Sequence, residues 1–137
     1  MKDPTKFVRK MYVYAFNSIS VPLYDGMAPN GASGLYGVID SSFTRRPIKS
    51  DNYFDFTVNI EIYHETREYG NSETVDAKAD ALLDLIIPLN SKSYLTVQGF
   101  QQNEISLQSA GNDAYNSGAS MVTWRKKLSI IHLLSEL

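Results

Sequence analysis

Few side chains in this sequence could do covalent or metal chemistry, and their spacing limits what they could do. Two histidines occur, His64 and His132. His64 is followed by Glu65, but the run continues Thr66-Arg67-Glu68, so the H-E-x-x-H spacing of a zinc protease is missing. Both histidines share the parity of apolar strand positions, where such a residue is most often a hydrogen-bonded part of the core. Asp76, Asp80 and Asp84 recur every fourth residue, which on a helix aligns three carboxylates. Their oxygens could ligate a divalent cation. A solvated acidic stripe on the outer side of the helix is the simpler reading. Gly26, Gly31 and Gly34 are not spaced as G-x-G-x-x-G, and no Gly-Lys-Ser/Thr follows a glycine loop, so no phosphate cradle is expected. Ser33 and Ser120 have no visible base partner. The absence of cysteine excludes thiol nucleophiles, disulfides, zinc thiolates and iron–sulfur clusters. No catalytic residue, metal or cofactor is nominated, and the expectation is a protein that is not an enzyme.

The cationic clusters are more informative. Arg45, Arg46 and Lys49 put three positive charges within five residues of a turn-like segment. They could bridge carboxylates or phosphates without reading a sequence. The plainer alternative is a charged tip that discourages edge pairing. Arg125, Lys126 and Lys127 lie inside a strand-like stretch. At least one must face the apolar side or an edge, which requires a partner carboxylate or a subunit boundary. Thirteen basic and fifteen acidic residues leave a net charge of −2, which argues against a dedicated nucleic-acid binder. No apolar run reaches the ~18 residues of a membrane-spanning helix. The segment Met1–Lys6 lacks the apolar core of a signal peptide, so the chain is expected to stay in, or be assembled in, the cell that makes it.

These groups must be positioned by the surrounding elements. At 137 residues the chain is long enough for one domain, 1–137, and for one core. Phe7, Val8, Met11, Tyr12, Tyr14 and Ala15 recur at helical spacing, predicting a helix over about Pro4–Asn17 with Asp3 as its N-cap. Ile19–Tyr24 reads as a short extended piece that Pro22 marks as an edge strand or a non-strand. The Gly/Pro/Asn-rich run Asp25–Gly34 reads as a long loop. Leu35–Thr44 is an expected strand, with a turn over Arg45–Asn52. Phe54, Phe56, Val58, Ile60 and Ile62 then alternate with polar residues. That pattern predicts a half-buried strand to His64, roughly 36 Å long, and a hairpin arm reaching beyond the domain body. Val75, Ala79, Leu82 and Ile86 mark one face of a second helix, capped by Asn71 or Ser72 and ended by Pro88. Short strands are expected at Ser93–Gln98 and Glu104–Ser109, a loop at Ala110–Gly118, and a last strand over Ala119–Leu134. Ile131 and Leu133 fall off parity there, pointing to burial on both faces or contact with a neighbour. The fold class is α+β: an antiparallel sheet of four or five strands with two helices packed on one face.

The order of these segments resembles the tail-completion, or tail-terminator, proteins of tailed bacteriophages. The resemblance rests on a first helix followed by Val21-Pro22-Leu23-Tyr24-Asp25-Gly26 and the loop Ala28-Pro29-Asn30-Gly31-Ala32. It continues through Leu35-Tyr36-Gly37-Val38-Ile39, the alternating run Phe56–Tyr63, a helix over Ala79–Ile86 and a closing strand Trp124–Ile130. It implies a virion structural protein assembled in the host bacterial cytoplasm, in a ring of six subunits with twelve as the alternative. The ring would sit at the head–tail junction, join connector to tail, and pass DNA through its lumen with weak, non-specific contacts and no membrane association. Candidate subunit or partner contacts are Tyr24, Met27, Arg45, Arg46, Lys49, Arg125 and Lys127. The alternatives are a stopper or adaptor ring of a short-tailed phage neck, and a small cellular α+β enzyme or ligand-binding domain.

Overall fold

The computed structural model describes residues 3–40, 44–47, 53–89 and 93–137. The chain runs α1 (Thr5–Ser18), β1 (Leu23–Asp25), β2 (Leu35–Ile39), β3 (Thr44–Pro47), β4 (Tyr53–Arg67), α2 (Glu73–Ile86), β5 (Phe100–Gly118) and β6 (Met121–Glu136). The architecture is the expected α+β, with two helices on one side of one sheet. Among the described residues the sheet has six strands, ordered β1-β2-β4-β6-β5, with β3 pairing β4 off that path. All pairs are antiparallel except β1–β2, which is parallel. The loop between β1 and β2 is short for a parallel connection. Gly26, Gly31 and Gly34 all adopt positive φ there, which turns the chain within that length.

Each helix starts where local chemistry provides for its free amides. Pro4, not the expected Asp3, occupies the N-cap position of α1; Asp3, one residue ahead, accepts the Thr5 amide at 2.9 Å and the Thr5 hydroxyl at 2.6 Å through Oδ1. Asn71 Oδ1 accepts the Glu73 amide at 3.0 Å. At the other end of α1, Lys78 Nζ of α2 donates to the Ile19 carbonyl at 2.7 Å, placing a cation where a helix leaves its carbonyls unpaired. α2 ends at Ile86, before Pro88.

The core lies between these helices and the even-numbered face of β4. Phe56, Val58, Ile60 and Ile62 are buried, and opposite them on β6 stand His132, Ile130, Leu128 and Lys126. From α1 come Val8, Met11, Tyr12, Ala15 and Phe16, and from α2 Val75, Ala79, Leu82 and Ile86. The other face of the sheet has no helix over it among the described residues.

Several segments differ from the sequence expectation: the strand expected over Leu35–Thr44 is β2 as far as Ile39, and Thr44 opens β3. β4 is an interior strand, paired along its whole length with β6 and flanked by β2 and β3, so it is not a projecting arm. The positively charged segment begins as strand β3, where a turn was expected. The largest difference is β5. The expected strand at Ser93–Gln98 is irregular, and the expected loop at Ala110–Gly118 is the second half of a 19-residue strand. Pairing with β6 satisfies the backbone groups along one edge of β5 despite its small, polar side chains. Register shifts at 102/104, 107/109 and 116/118 erase the period-two pattern that would have revealed it. The turn at Ala119-Ser120, both with positive φ, uses neither Asn nor Gly.

Candidate functional site

The bare sheet face is built by simple parity. On β4, Asn59, Glu61, Tyr63 and Glu65 alternate with the buried residues and so point away from the helices. Register brings partners alongside: Tyr36 opposite Tyr63, Val38 opposite Glu61 and Tyr24 opposite Val38. From the other side Arg125 stands opposite Tyr63, Lys127 opposite Glu61, and Asp113 opposite Arg125. Four of the nominated residues, Tyr24, Met27, Arg125 and Lys127, therefore belong to one neighbourhood.

Tyr36 and Tyr63 stack with centroids 4.9 Å apart and planes 13° from parallel, and Tyr24 meets Tyr36 edge-on at 6.0 Å. The Tyr63 hydroxyl donates to Glu61 Oε2. Burial, then that bond to a carboxylate, hold the Tyr63 proton tightly and push its pKa up to about 12. Burial also raises Tyr36, with nearby Tyr115, Glu65 and Glu61 adding to it. Arg125 grips Asp113 with two donors, Nε to Oδ1 at 2.8 Å and Nη2 to Oδ2. The Arg125 pairing holds the Asp113 carboxyl below its ordinary range. The same guanidinium lies 4.0 Å from Glu61 and 6.0 Å from the Tyr115 ring centroid.

Between these groups and the Gly26–Ala28 loop lies a cleft of about 370 Å³. Its walls are Tyr36, Tyr63 and Tyr115; Asp40, Asn59 and Glu61 add polar groups, and Met27 stands at the rim, 78% exposed. Sequence reasoning did not select Tyr36, Asp40, Asn59, Glu61, Tyr63, Asp113 or Tyr115 as site residues. The signal available was the wet parity of β4, read only as solvent-facing.

The remaining nominated residues lie elsewhere. Arg45 and Arg46 occupy β3 positions opposite Phe56 and Asp55. Phe56 lies three residues along β4 from Asn59, the nearest β4 residue of the cleft, and seven from Tyr63, roughly 10 and 23 Å at strand spacing. Lys49 lies outside the described residues. Lys126 is the member of its basic triplet that turns to the helix side, where Asp76 Oδ1 meets it at 3.2 Å. Asp76 also accepts from Asn112 Nδ2 at 2.7 Å and Ser72 Oγ at 2.9 Å. Those bonds, Asn112 first, hold its carboxyl below the ordinary range. Among the described residues no three acidic or histidine side chains converge as a metal site would need. His132 is wholly buried, bonded to Tyr12 and Gln102. No described helix is long and apolar enough to cross a membrane.

The chain matches no family model and no curated protein. Solved structures do share its fold. One is a chain of the virion of a native gene transfer agent particle, with TM-score 0.58 and 15% identity, covering 88% of this chain and 84% of that one. Another, whose name carries no function, has TM-score 0.54 and 12% identity over 93% of this chain and 94% of that one. At these identities the likeness is one of fold, and it spans most of the chain.

Proposed function

We propose that this chain is a virion structural subunit, and more narrowly a ring-forming protein at the head–tail junction of a tailed phage. The observation that carries this reading is the fold shared over 88% of the chain with a component of a gene transfer agent virion. The sequence order that resembles tail-completion proteins points the same way. So does the surface. A bare sheet face and a long edge strand, exposed on both faces from Ser106 to Gly118, are surfaces that assembly would cover. In this role the subunit acts by shape and contact rather than by turnover. Six copies, or twelve, close around the DNA channel, contact neighbouring neck, connector and tail proteins, and touch DNA only without sequence preference.

Cryo-electron microscopy of particles tests this directly. The expected result is a closed ring of this chain between head and tail, with unjoined or overlong tails when the chain is withheld. Its neighbours in the particle distinguish a tail-ending ring from a stopper or adaptor. Absence from purified particles, or turnover of a small molecule by the isolated chain, overturns the proposal. Changing Arg45, Arg46 and Lys49 to Ser together is expected to leave a folded monomer that fails in particle completion. Normal particle yield would remove this segment from the contacts.

A further inference from the structure

We infer that the cleft on the bare sheet face receives the basic outer stripe of α1 from a second copy of this chain. The inference rests on the ring reading and names its contact. The cleft is lined by two carboxylates, Asp40 and Glu61, and by no lysine or arginine. Two cations flank it, Arg125, held by Asp113 and 4.0 Å from Glu61, and Lys127, opposite Glu61 on β6; set against Asp40, Glu61 and Asp113, they leave the neighbourhood with a negative charge to spare. Carboxylates beside tyrosine faces attract an ammonium group both by charge and through the ring quadrupole.

The complementary surface lies on the far side of the same domain. Lys6, Lys10, Val13, Tyr14 and Asn17 fall at helical spacing on α1, and all are exposed. Val13 is 44% and Tyr14 60% exposed, so the stripe carries apolar and aromatic area beside its two ammonium groups. The helix contains no acidic residue. Stripe and cleft lie on opposite sides of one sheet. A contact between them is therefore heterologous: each copy offers one surface and accepts the other, and the series closes wherever the rotation between copies allows. The acidic residues Glu73, Asp80 and Asp84 on α2 are a second candidate for the stripe. They share its side of the sheet, so that pairing would set the two helix layers face to face and leave the bare face uncovered.

The chain has no cysteine, so introduced pairs are unique. A variant carrying both Lys10→Cys and Asn59→Cys is treated with a short bis-maleimide, with far-UV circular dichroism confirming the fold. The expected product is a ladder of covalent oligomers from dimer upward, whereas either single variant stops at dimer. Glu61→Lys or Lys10→Glu alone is expected to weaken self-association by about tenfold, and the two together to restore it. A ladder formed instead by Lys10→Cys with Asp80→Cys, in a protein that still oligomerises by mass photometry, overturns this contact and leaves the ring reading standing. A protein that stays monomeric and gives neither ladder also overturns the contact. The ring reading is then decided by the particle images.

Discussion

The hydroxyl of Tyr12 and Nε2 of His132 meet at 2.6 Å in a wholly buried seam between α1 and β6. The direction of that bond follows from its neighbours. Gln102 Nε2 donates to the Leu95 carbonyl at 2.5 Å, which turns Gln102 Oε1 toward His132 Nδ1 at 2.7 Å. Nδ1 therefore carries the proton, and Nε2 accepts from Tyr12. Burial lowers the His132 pKa to about 4 and raises that of Tyr12 well above its ordinary value. Below its ordinary pKa of about 6.5 the histidine of the unfolded chain takes up a proton that the folded chain refuses until about pH 4. Stability is thus full above pH 6.5 and falls as pH drops toward 4, by about 3 kcal/mol from this residue. Urea titrations at pH 7 and 4.5 measure the fall. His132→Gln is expected to shrink it, and an equal acid loss in that variant would show that another group is responsible.

Gly37 and Phe16 set how closely α1 approaches β2. A Cβ at Gly37 would overlap the Phe16 ring, and that ring is wholly buried. Gly37→Ala should therefore destabilise by about 2 kcal/mol, despite the entropy that alanine saves in the unfolded chain. Adding Phe16→Leu should return part of the loss by opening space. A urea midpoint unchanged by Gly37→Ala would mean that α1 does not seat Phe16 against β2.

Val58 is wholly buried at the centre of β4, opposite Ile130 on β6. Val58→Asp would put a carboxylate there with no cation beside it, at a cost of about 4 kcal/mol or more. Marginal domains have little more than that to lose. The expected outcome is no cooperative melting transition at neutral pH. An intact transition would contradict the parity that defines both faces of the sheet.

That parity was the most legible feature of the sequence. Strict alternation from Phe56 to Ile62 gave one buried face correctly, as the helical spacing of Val75, Ala79, Leu82 and Ile86 did for α2. Both signals come from burial. The strand expected at Glu104–Ser109 lies within β5, but its continuation over Ala110–Gly118 escaped notice because it is exposed throughout: its order comes from backbone pairing with β6, which leaves no mark on side-chain type. The cleft was barely legible: of its lining residues only Met27 was nominated, the other three nominated residues of that face standing beside it. Tyr24, Met27, Arg125 and Lys127 could be nominated singly, but Tyr36 and Tyr63 meet only through strand register. Register depends on pairing partners distant in sequence. The same limit hid the partner of Lys126, a carboxylate 50 residues away.

Asp76 ties three elements together: its own helix through Ser72, β5 through Asn112 and β6 through Lys126. Its side chain is 41% exposed, so water and salt screen much of the ion pair. The three bonds lower its folded pKa, so their contribution is present above the ordinary carboxyl pKa of about 3.8 and is lost as pH falls through the lower folded value. Asp76→Asn keeps the size and removes the charge. It is expected to cost less than about 1 kcal/mol globally. The effect should be concentrated in β5, because Asn112 is a side-chain anchor of a strand that is otherwise uncovered. Hydrogen exchange reads this locally. Amides of 109–116 should exchange faster in Asp76→Asn and in Asn112→Ala, while those of 58–62 stay protected. Equal acceleration in both segments would mean that the tie supports the whole domain, and no change in either would mean that β6 alone holds the edge strand.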